Sequence, residues 1–119
     1  MRHRLSRRLR LRQKPAHARM LKRNLITSLL LYESIRTTKV RAKAIQPIVD
    51  RLIRSAQKQS SMNAIRAINR VVTHANACRK VMEVLRERFK NRTSGFTRIT
   101  PAGARHGDGA EVVDLQLLP

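Results

Sequence analysis

The chain begins with a strongly one-sided charge pattern: no acidic residue precedes Glu33, and ten cationic side chains crowd the first 23 positions. A segment of a single charge sign repels itself, so it does not fold alone. It needs a dense anion to collapse onto, and the pattern favours nucleic-acid phosphate. The ten cations are Arg2, Arg4, Arg7, Arg8, Arg10, Arg12, Lys14, Arg19, Lys22 and Arg23.

The rest of the composition follows the same trend. The 119 residues, about one domain in length, carry 27 Lys and Arg against 7 Asp and Glu, a net charge of +20. That excess indicates polyanionic partners and says nothing of fold. The aromatic residues, Tyr32, Phe89 and Phe96, are too few for recognition by base stacking. Phosphate contact and shape recognition are the better interpretation.

Cysteine content and hydropathy bound the location of the chain. Cys78 is the single cysteine, so an internal disulfide is excluded and a reducing compartment fits. The longest apolar run, at residues 29–31, is far too short to span a bilayer, and no long apolar segment follows the basic start as a secretory signal requires. An arginine-rich, acid-free start also occurs in mitochondrial transit peptides, but the low serine content and Pro15 argue against one. We expect a cytoplasmic protein, with an organellar one as the less favoured alternative.

Composition divides the chain into a basic, extended RNA-binding arm, residues 1–16, and a single globular α+β domain, residues 17–119. Pro15 lies near the start of the first helix, which is predicted over residues 17–33. The first turns of this helix are basic, which is unfavourable beside the positive end of its dipole and indicates an external anion. Its predicted buried face consists of Met20, Leu21, Leu25, Ser28, Leu29 and Tyr32.

The middle of the chain predicts a short strand over residues 34–38, since β-branched residues are frequent there. Thr38 is predicted to cap a second helix. We expect that helix to continue through Pro47 with a bend rather than to begin near Gln46. Its apolar stripe consists of Ile45, Ile48, Val49, Leu52, Ile53 and Ala56.

Two further helices and two strands complete the prediction. Ser61 is expected to cap a third helix that runs to about Asn69, with Met62, Ile65 and Ile68 buried. A fourth helix carries Cys78, Val81, Met82, Leu85 and Phe89 at helical spacing and ends within residues 91–95. A strand over residues 97–100, a turn at residues 107–109 and a half-buried strand with Val113, Leu115 and Leu117 follow. The expected fold is α+β, with about four helices packed on a small sheet.

A second basic feature lies near the carboxyl end. Arg98, Arg105 and His106 could reach a backbone phosphate, and the glycines around them permit close approach; the alternative is an ordinary hairpin turn with solvated charges. His3 in the arm and His17 directly after it either contact RNA or are simply exposed. Further cations along the helices either contact RNA or only solubilise the chain: Lys39, Arg41, Lys43, Arg51, Arg54, Arg66, Arg70, Arg79 and Lys80.

Catalysis and metal binding find little support in the sequence. The acids are scattered, and no nucleophile with a base and an orienting group is visible. Glu83 and Glu87 are interpreted as partners of the surrounding Arg79, Arg86 and Arg88 in surface ion pairs. His74 and Cys78 have the spacing of a metal-ligand pair, but no second pair completes a site, so Cys78 is interpreted as a small buried hydrophobe. No enzyme activity, cofactor, metal, membrane or small-molecule substrate is expected.

Several segments recur together in a known order and spacing. They are Met1-Arg2-His3-Arg4; His17 with Arg23-Asn24-Leu25; Ile35-Arg36-Thr37-Thr38 with Arg41-Ala42-Lys43; Pro47 with Leu52 and Ile53; and Gly95-Phe96-Thr97-Arg98-Ile99 with Gly103, Arg105 and Gly107-Asp108-Gly109-Ala110. Over nearly its whole length the chain thus resembles the family of ribosomal protein seventeen of the bacterial large subunit. It departs from that family at Phe96, where Tyr is usual, at Ala18, where a basic residue is frequent, and between Arg7 and Arg12, where a common glycine is missing.

The resemblance implies an α+β fold with three strands and a structural, non-enzymatic role. It also implies binding to large-subunit ribosomal RNA on the solvent side near the peptide exit region, with neighbouring ribosomal proteins as secondary partners. The RNA-binding positions that it carries over are Arg2, His3, Arg4, His17, Arg23, Arg98 and Arg105. Charge alone adds Arg7, Arg8, Arg10, Arg12, Lys14, Arg19 and Lys22. The competing hypothesis is a DNA-binding or DNA-compacting module, although no helix-turn-helix pattern with clear turn chemistry is present.

Overall fold

The computed structural model describes residue 11 and residues 13–119. The last three helical segments given below follow one another without a break and are named the composite helix. The described part therefore holds four helices and three strands, which confirms the predicted α+β fold. The elements are α1 (Pro15–Tyr32), β1 (Ser34–Thr38), α2 (Lys39–Lys58), α3 (Ser61–Asn69), α4 (Ala75–Lys80), π1 (Val81–Leu85), α5 (Arg86–Arg88), β2 (Thr97–Ala104) and β3 (Glu111–Leu117).

Helix α1 begins at Pro15, two residues earlier than predicted, because proline suits the first turn of a helix, where its missing N–H is not needed. The helix ends at Glu33, which has a φ of 66° and donates its backbone N–H to the Leu29 carbonyl oxygen at 2.8 Å. This left-handed residue turns the chain directly into β1.

The predicted buried face of α1 is confirmed at Leu29 and wrong at Met20 and Tyr32, and its other members are half-buried. Met20 and Tyr32 are 45% and 74% exposed, whereas the buried residues are Ile26, Thr27, Leu29 and Leu30. Apolar residues occur on most sides of this helix, so the apolar pattern does not determine which face is buried. The turn at residues 71–73 determines it, because this turn forms hydrogen bonds with the side chains of Arg23 and Thr27.

Helix α2 runs without interruption through the exposed Pro47, so the predicted continuation past this proline is confirmed. Thr38 occupies the N-cap position, but its side chain makes no capping hydrogen bond, and the predicted cap is therefore wrong. The apolar stripe faces the core as expected, with Ile48 only half-buried. Its fully buried members are Ile45, Val49, Leu52, Ile53 and Ala56.

Helix α3 differs from its prediction in two respects. Ser60 rather than Ser61 is its N-cap residue, and that side chain makes no capping bond. Ile68 is buried as expected, but Met62 and Ile65 are 64% and 40% exposed. Ala64 is buried instead, because the short helix turns its small-residue side towards the core.

The composite helix buries the predicted residues Cys78, Val81, Leu85 and Phe89. Met82 is only half-buried. The sequence did not reveal the π-helical turn in the middle, where the Arg86 N–H donates to the Val81 carbonyl oxygen, five residues earlier. A π turn accommodates one extra residue, so it changes which side chains point outward after it.

The sheet is antiparallel with the order β1-β3-β2, so β3 lies in the centre. Leu115 pairs with Ile35 on one side and Ile99 on the other, which forms an apolar row on the inner face. Alternate residues form the outer face, where Arg36 is opposite Asp114 and Arg98 is opposite Gln116. The predicted half-buried β3 is confirmed, and β2 extends four residues beyond the predicted end.

Candidate nucleic-acid interface

The predicted RNA-binding residues fall into two groups. Arg2, His3, Arg4, Arg7, Arg8, Arg10 and Arg12 lie outside the described residues. The structure places the other seven on two separate parts of the domain: Lys14, His17, Arg19, Lys22 and Arg23 at the amino end of α1, and Arg98 and Arg105 on β2 and the hairpin that follows.

The amino end of α1 is cationic and has no acid to compensate the helix dipole. Lys14 is the N-cap residue, with no side-chain capping bond and no acid in the first turn. The Ala18 N–H donates to the Lys14 carbonyl oxygen at 2.8 Å, so the amides of residues 16 and 17 precede the first helical bond. An anion is stabilised at such a position by both the amides and the dipole.

Beside this end lies a concave surface, named the α1 groove, between α1, α2 and the residues that follow α3. Arg19 and Arg70 are exposed there, and Lys22 is half-buried. The sequence did not distinguish Arg70 from the other cations of the helices. The fold places it in the same groove as Arg19 and Lys22. The lining residues are Pro15, Arg19, Lys22, Arg23, Ile26, Ile48, Arg70 and Val71.

Arg23 has an intramolecular role in this groove. Its Nε donates to the Val71 carbonyl oxygen at 3.0 Å, and its Nη2 donates to the Val72 carbonyl oxygen at 3.3 Å. One helical turn later, Thr27 Oγ1 accepts the Thr73 N–H at 3.0 Å. Arg23 and Thr27 together therefore fix the turn between α3 and the composite helix, while the RNA contact predicted for Arg23 stays a prediction.

The second cationic surface, named the hairpin cleft, lies between the start of α2 and the β2–β3 hairpin. Arg41 of α2 and His106 of the hairpin both line it, together with the hydroxyl-bearing Thr37 and Thr38. The sequence linked Arg105 and His106 to phosphate but gave no reason to place Arg36 and Arg41 beside them. The lining residues are Arg36, Thr37, Thr38, Arg41, Ala102, Ala104, Arg105, His106 and Val112.

Two arginines of the hairpin cleft are held in place by carboxylates. Arg36 donates from Nε and Nη2 to Asp114 at 2.8 and 3.2 Å. Arg105 donates from Nε and Nη2 to Asp108 at 3.1 and 2.5 Å. Each forked pair leaves the Nη1 group outside it. Arg105, with help from the Ala110 N–H, lowers the pKa of Asp108 to about 2, and Arg36 lowers the pKa of Asp114.

Arg98 does not enter the hairpin cleft. It is exposed on the outer face of the sheet, where it lies opposite Gln116 on β3. Because residues 36, 98 and 114 all alternate to this face, Arg98 and Arg36 extend one cationic surface across the sheet. Arg98 therefore shares a surface with Arg36 and not with Arg105.

Some cations form ion pairs within the domain. Glu33 accepts from Lys80 Nζ at 2.9 Å and from Arg88 Nη1 at 2.8 Å, and these partners lower the pKa of Glu33 to about 2, the Arg88 hydrogen bond contributing most. Arg88 therefore pairs with Glu33 and not with its helix neighbours. Within residues 11 and 13–119, no ion pair within 4.0 Å joins Glu83 or Glu87 to a cation, so the predicted pairing of these two acids is wrong.

The described residues offer no metal centre, since none of their His, Cys, Asp and Glu side chains form a group of three or more suited to a metal ion. His74 is the N-cap of α4 and accepts the Asn76 N–H on Nδ1 at 3.1 Å. Cys78 is buried, which raises the pKa of its thiol. Among the same residues, no helix has the length and apolar character needed to cross a membrane.

A sequence model of the family described as Ribosomal protein L17 matches residues 21–118. The chain belongs to the ribosomal protein L17 family. It is therefore a structural component of the large ribosomal subunit and not an enzyme, as the sequence predicted.

Individual relatives cover most of the chain. The large ribosomal subunit protein bL17 of Petrotoga mobilis is 38% identical, over 100% of this chain and 98% of its own length. The proteins of the same name from Endomicrobium trichonymphae and Hyphomonas neptunium are 37% and 36% identical, over 87% and 99% of this chain and 87% and 83% of their own lengths. The predicted family resemblance is confirmed.

Proposed function

We propose that this L17 family member binds and stabilises folded large-subunit ribosomal RNA by neutralising phosphates and by recognising the shape of the RNA. The observation that supports this most strongly is the convergence of cations from distant parts of the chain into the α1 groove and the hairpin cleft. Each of these surfaces combines exposed basic side chains with the amino end of a helix, which is the arrangement that anions prefer.

The mode of recognition follows from what the two surfaces offer. Phe89 and Phe96 are buried against each other, with ring centroids 5.1 Å apart, so Tyr32 is the one exposed aromatic ring in the described part of the chain. One ring is a poor platform for reading bases by stacking. Guanidinium groups instead bind phosphate oxygens in a forked geometry, and phosphate contacts position a protein on RNA without reading its sequence.

The basic arm of residues 1–16 is proposed to pass between RNA helices and to supply further phosphate contacts. Its proposed contact residues are Arg2, His3, Arg4, Arg7, Arg8, Arg10, Arg12 and Lys14, followed by His17, Arg19, Lys22 and Arg23 on α1. We further propose a position on the solvent side near the peptide exit region, in ribosomes of the cytoplasm, with neighbouring ribosomal proteins as secondary partners. The relatives are named as proteins of the large ribosomal subunit, which supports assembly into that subunit.

A salt series on association with large-subunit RNA tests the proposal. If ~6 to 8 phosphates are neutralised, log K should fall with log salt at a slope of about −4 to −7. A chain with glutamine at Arg2, Arg4, Arg7, Arg8, Arg10 and Arg12 should have a much shallower slope. Equal slopes for the two chains would contradict the role given to the arm.

Nuclease treatment separates this proposal from a DNA-binding role. The native protein should sediment with large ribosomal subunits and be released from particles by RNase but not by DNase. Release by DNase alone would favour the DNA-binding alternative. The comparison should be made at low and at physiological salt, because surface electrostatics is exaggerated when ionic strength is low.

A further inference from the structure

A third concave surface runs along the composite helix, beside α3 at one end and beside Gln57 of α2 at the other. It has a different character from the two cationic ones. It consists of two adjoining depressions that share Met82 and Glu83, and it is named the α3 groove. Ile65 and Cys78 line one half, while Arg86 and Glu87 line the other. None of its lining residues belongs to the surfaces proposed for RNA.

The half of the α3 groove beside α3 has an apolar, uncovered floor. Ile65 is 40% exposed, and Met62, one helical turn earlier on the same side of α3, is 64% exposed. The amphipathic pattern of α3 predicts both residues to be buried, yet no described element packs over them. Met82 continues this apolar surface onto the composite helix. Methionine adapts its shape to different partners and is frequent at protein-binding surfaces.

The charges of the α3 groove set it apart from the rest of the domain. Four of the seven acids in the chain are engaged in ion pairs, and a fifth, Asp50, is half-buried. The remaining two, Glu83 and Glu87, are exposed and lie one turn apart along the groove. An RNA phosphate placed here would meet two carboxylates that lack a cation within ion-pair distance in the described part of the chain.

Cations also border this surface, with Arg79 at one end of the groove and Arg86 and Lys90 at the other. Charge therefore alternates along the composite helix, which suits a partner that carries both signs of charge. Proteins have that property and nucleic acids do not. The π1 turn lies at the middle of the groove, where Glu83 is exposed and Met82 half-buried while Val81 and Leu85 are buried. Turns of this kind are frequent at functional sites.

We propose that the α3 groove docks a segment of another protein of the large ribosomal subunit. That segment places an apolar side chain on the floor formed by Ile65 and Met82 and a lysine or arginine beside Glu83 and Glu87. Packing of the apolar side chain supplies most of the binding, and the charges select the orientation. The inference rests on membership of the ribosome but not on the RNA contacts proposed above.

Site-specific photocrosslinking in assembled large subunits tests this docking surface. The full chain carries Ile65→p-benzoylphenylalanine in one variant and, as a control at an exposed position outside the groove, Tyr32→p-benzoylphenylalanine in another. After irradiation and RNase digestion, the Ile65 variant should be joined to another ribosomal protein, at a peptide with an apolar residue next to Lys or Arg. A crosslink to RNA, a crosslink to a second copy of this chain, or no crosslink from assembled subunits would each overturn the proposal.

A charge reversal adds an independent test. In the Ile65 crosslinking background, E87K should lower the crosslink yield about fivefold, as expected for the loss of a favourable charge contact. E111K makes the same charge change at an exposed acid outside the groove and should lower the yield less than about twofold. Equal effects of the two reversals would contradict the docking geometry. Incorporation into subunits, measured separately by sedimentation, reports on the RNA proposal and not on this one.

Discussion

Two regions of this domain use the same kinds of charged residues to different ends. At the junction of α1 with the composite helix, Arg23 is bonded to backbone carbonyl oxygens and Glu33 is bonded to Lys80 and Arg88. In the hairpin cleft, Arg36 and Arg105 form exposed ion pairs, and Arg41 forms none within the described residues. An arginine in this chain therefore does not reveal from its type alone whether it stabilises the domain or is available to phosphate.

Burial is the property that separates the two regions. At the junction, the cations lie partly inside, where an unsatisfied carbonyl or carboxylate is costly and each hydrogen bond is correspondingly important. In the hairpin cleft, water solvates the same groups, so the ion pairs mainly fix the direction of the side chains. Substitutions at the junction should therefore act on stability, and substitutions in the cleft should act on RNA binding.

The largest effect should come from R23A, because it leaves the Val71 and Val72 carbonyl oxygens without their donor. We expect the free energy of unfolding to fall by about 1–3 kcal/mol. Urea denaturation of the purified chain measures this. R19A, an exposed arginine on the same helix, serves as the control and should change stability by no more than about 0.5 kcal/mol. Similar losses for both variants would remove the distinction drawn between the regions.

E33Q should have the next largest effect, since it removes the shared partner of Lys80 and Arg88. We expect a loss of about 1–2 kcal/mol in the free energy of unfolding at neutral pH, after allowing for partial exposure. The pKa of Glu33 is lowered from 4.5 to about 2, so the ionised form is favoured by folding. Its stabilisation is thus present above pH 4.5 and is lost as the pH falls towards 2. Denaturation of both proteins across this range should show the difference between them shrinking on acidification.

R41A should weaken RNA binding while leaving the domain stable. We expect affinity for large-subunit RNA to fall about five- to tenfold, equivalent to about 1–1.4 kcal/mol. R51A makes the same charge change on an exposed site of the same helix and should lower affinity less than about twofold. Filter binding at one fixed salt concentration compares them. If both variants lose affinity equally, net charge alone governs binding and the hairpin cleft is not a specific site.

The smallest effect on stability is expected for D108N. Arg105 and a backbone amide lower the pKa of Asp108 to about 2, as low as that of Glu33, but this pair is exposed in a hairpin turn. We expect D108N to change the free energy of unfolding less than E33Q does, because solvent screens the exposed pair. Parallel urea titrations of the two variants measure the difference, and a larger loss in D108N would reverse the ranking of the two regions.

Local patterns predicted most of the fold correctly. The β-branched run at residues 34–38, the turn at residues 107–109 and the alternation at Val113, Leu115 and Leu117 each depend on near neighbours in the chain. Helix faces were harder to predict. For α1, leucines occur on several sides, and for α3, Met62 and Ile65 follow a helical period without being buried.

For the candidate site too, the sequence predicted some features and only the fold revealed others. The charge pattern by itself predicted a polyanionic partner, and the resemblance carried by the chain's motifs identified the family. Neither could reveal that Arg41 and His106 line the same cleft, because the two residues are 65 positions apart in the chain. Likewise, the sequence predicted that Arg88 pairs with Glu83 and Glu87, whereas in the structure Arg88 forms an ion pair with Glu33.

The sequence by itself therefore determined the elements, the strand alternation and the cationic character, since these depend on residue type and on spacing within a few positions. The tertiary structure alone decided which side of α1 is buried, which arginines are bonded internally and which acids stay exposed. Those outcomes depend on contacts between residues far apart in the chain, where packing of whole elements overrides the preference of any single residue.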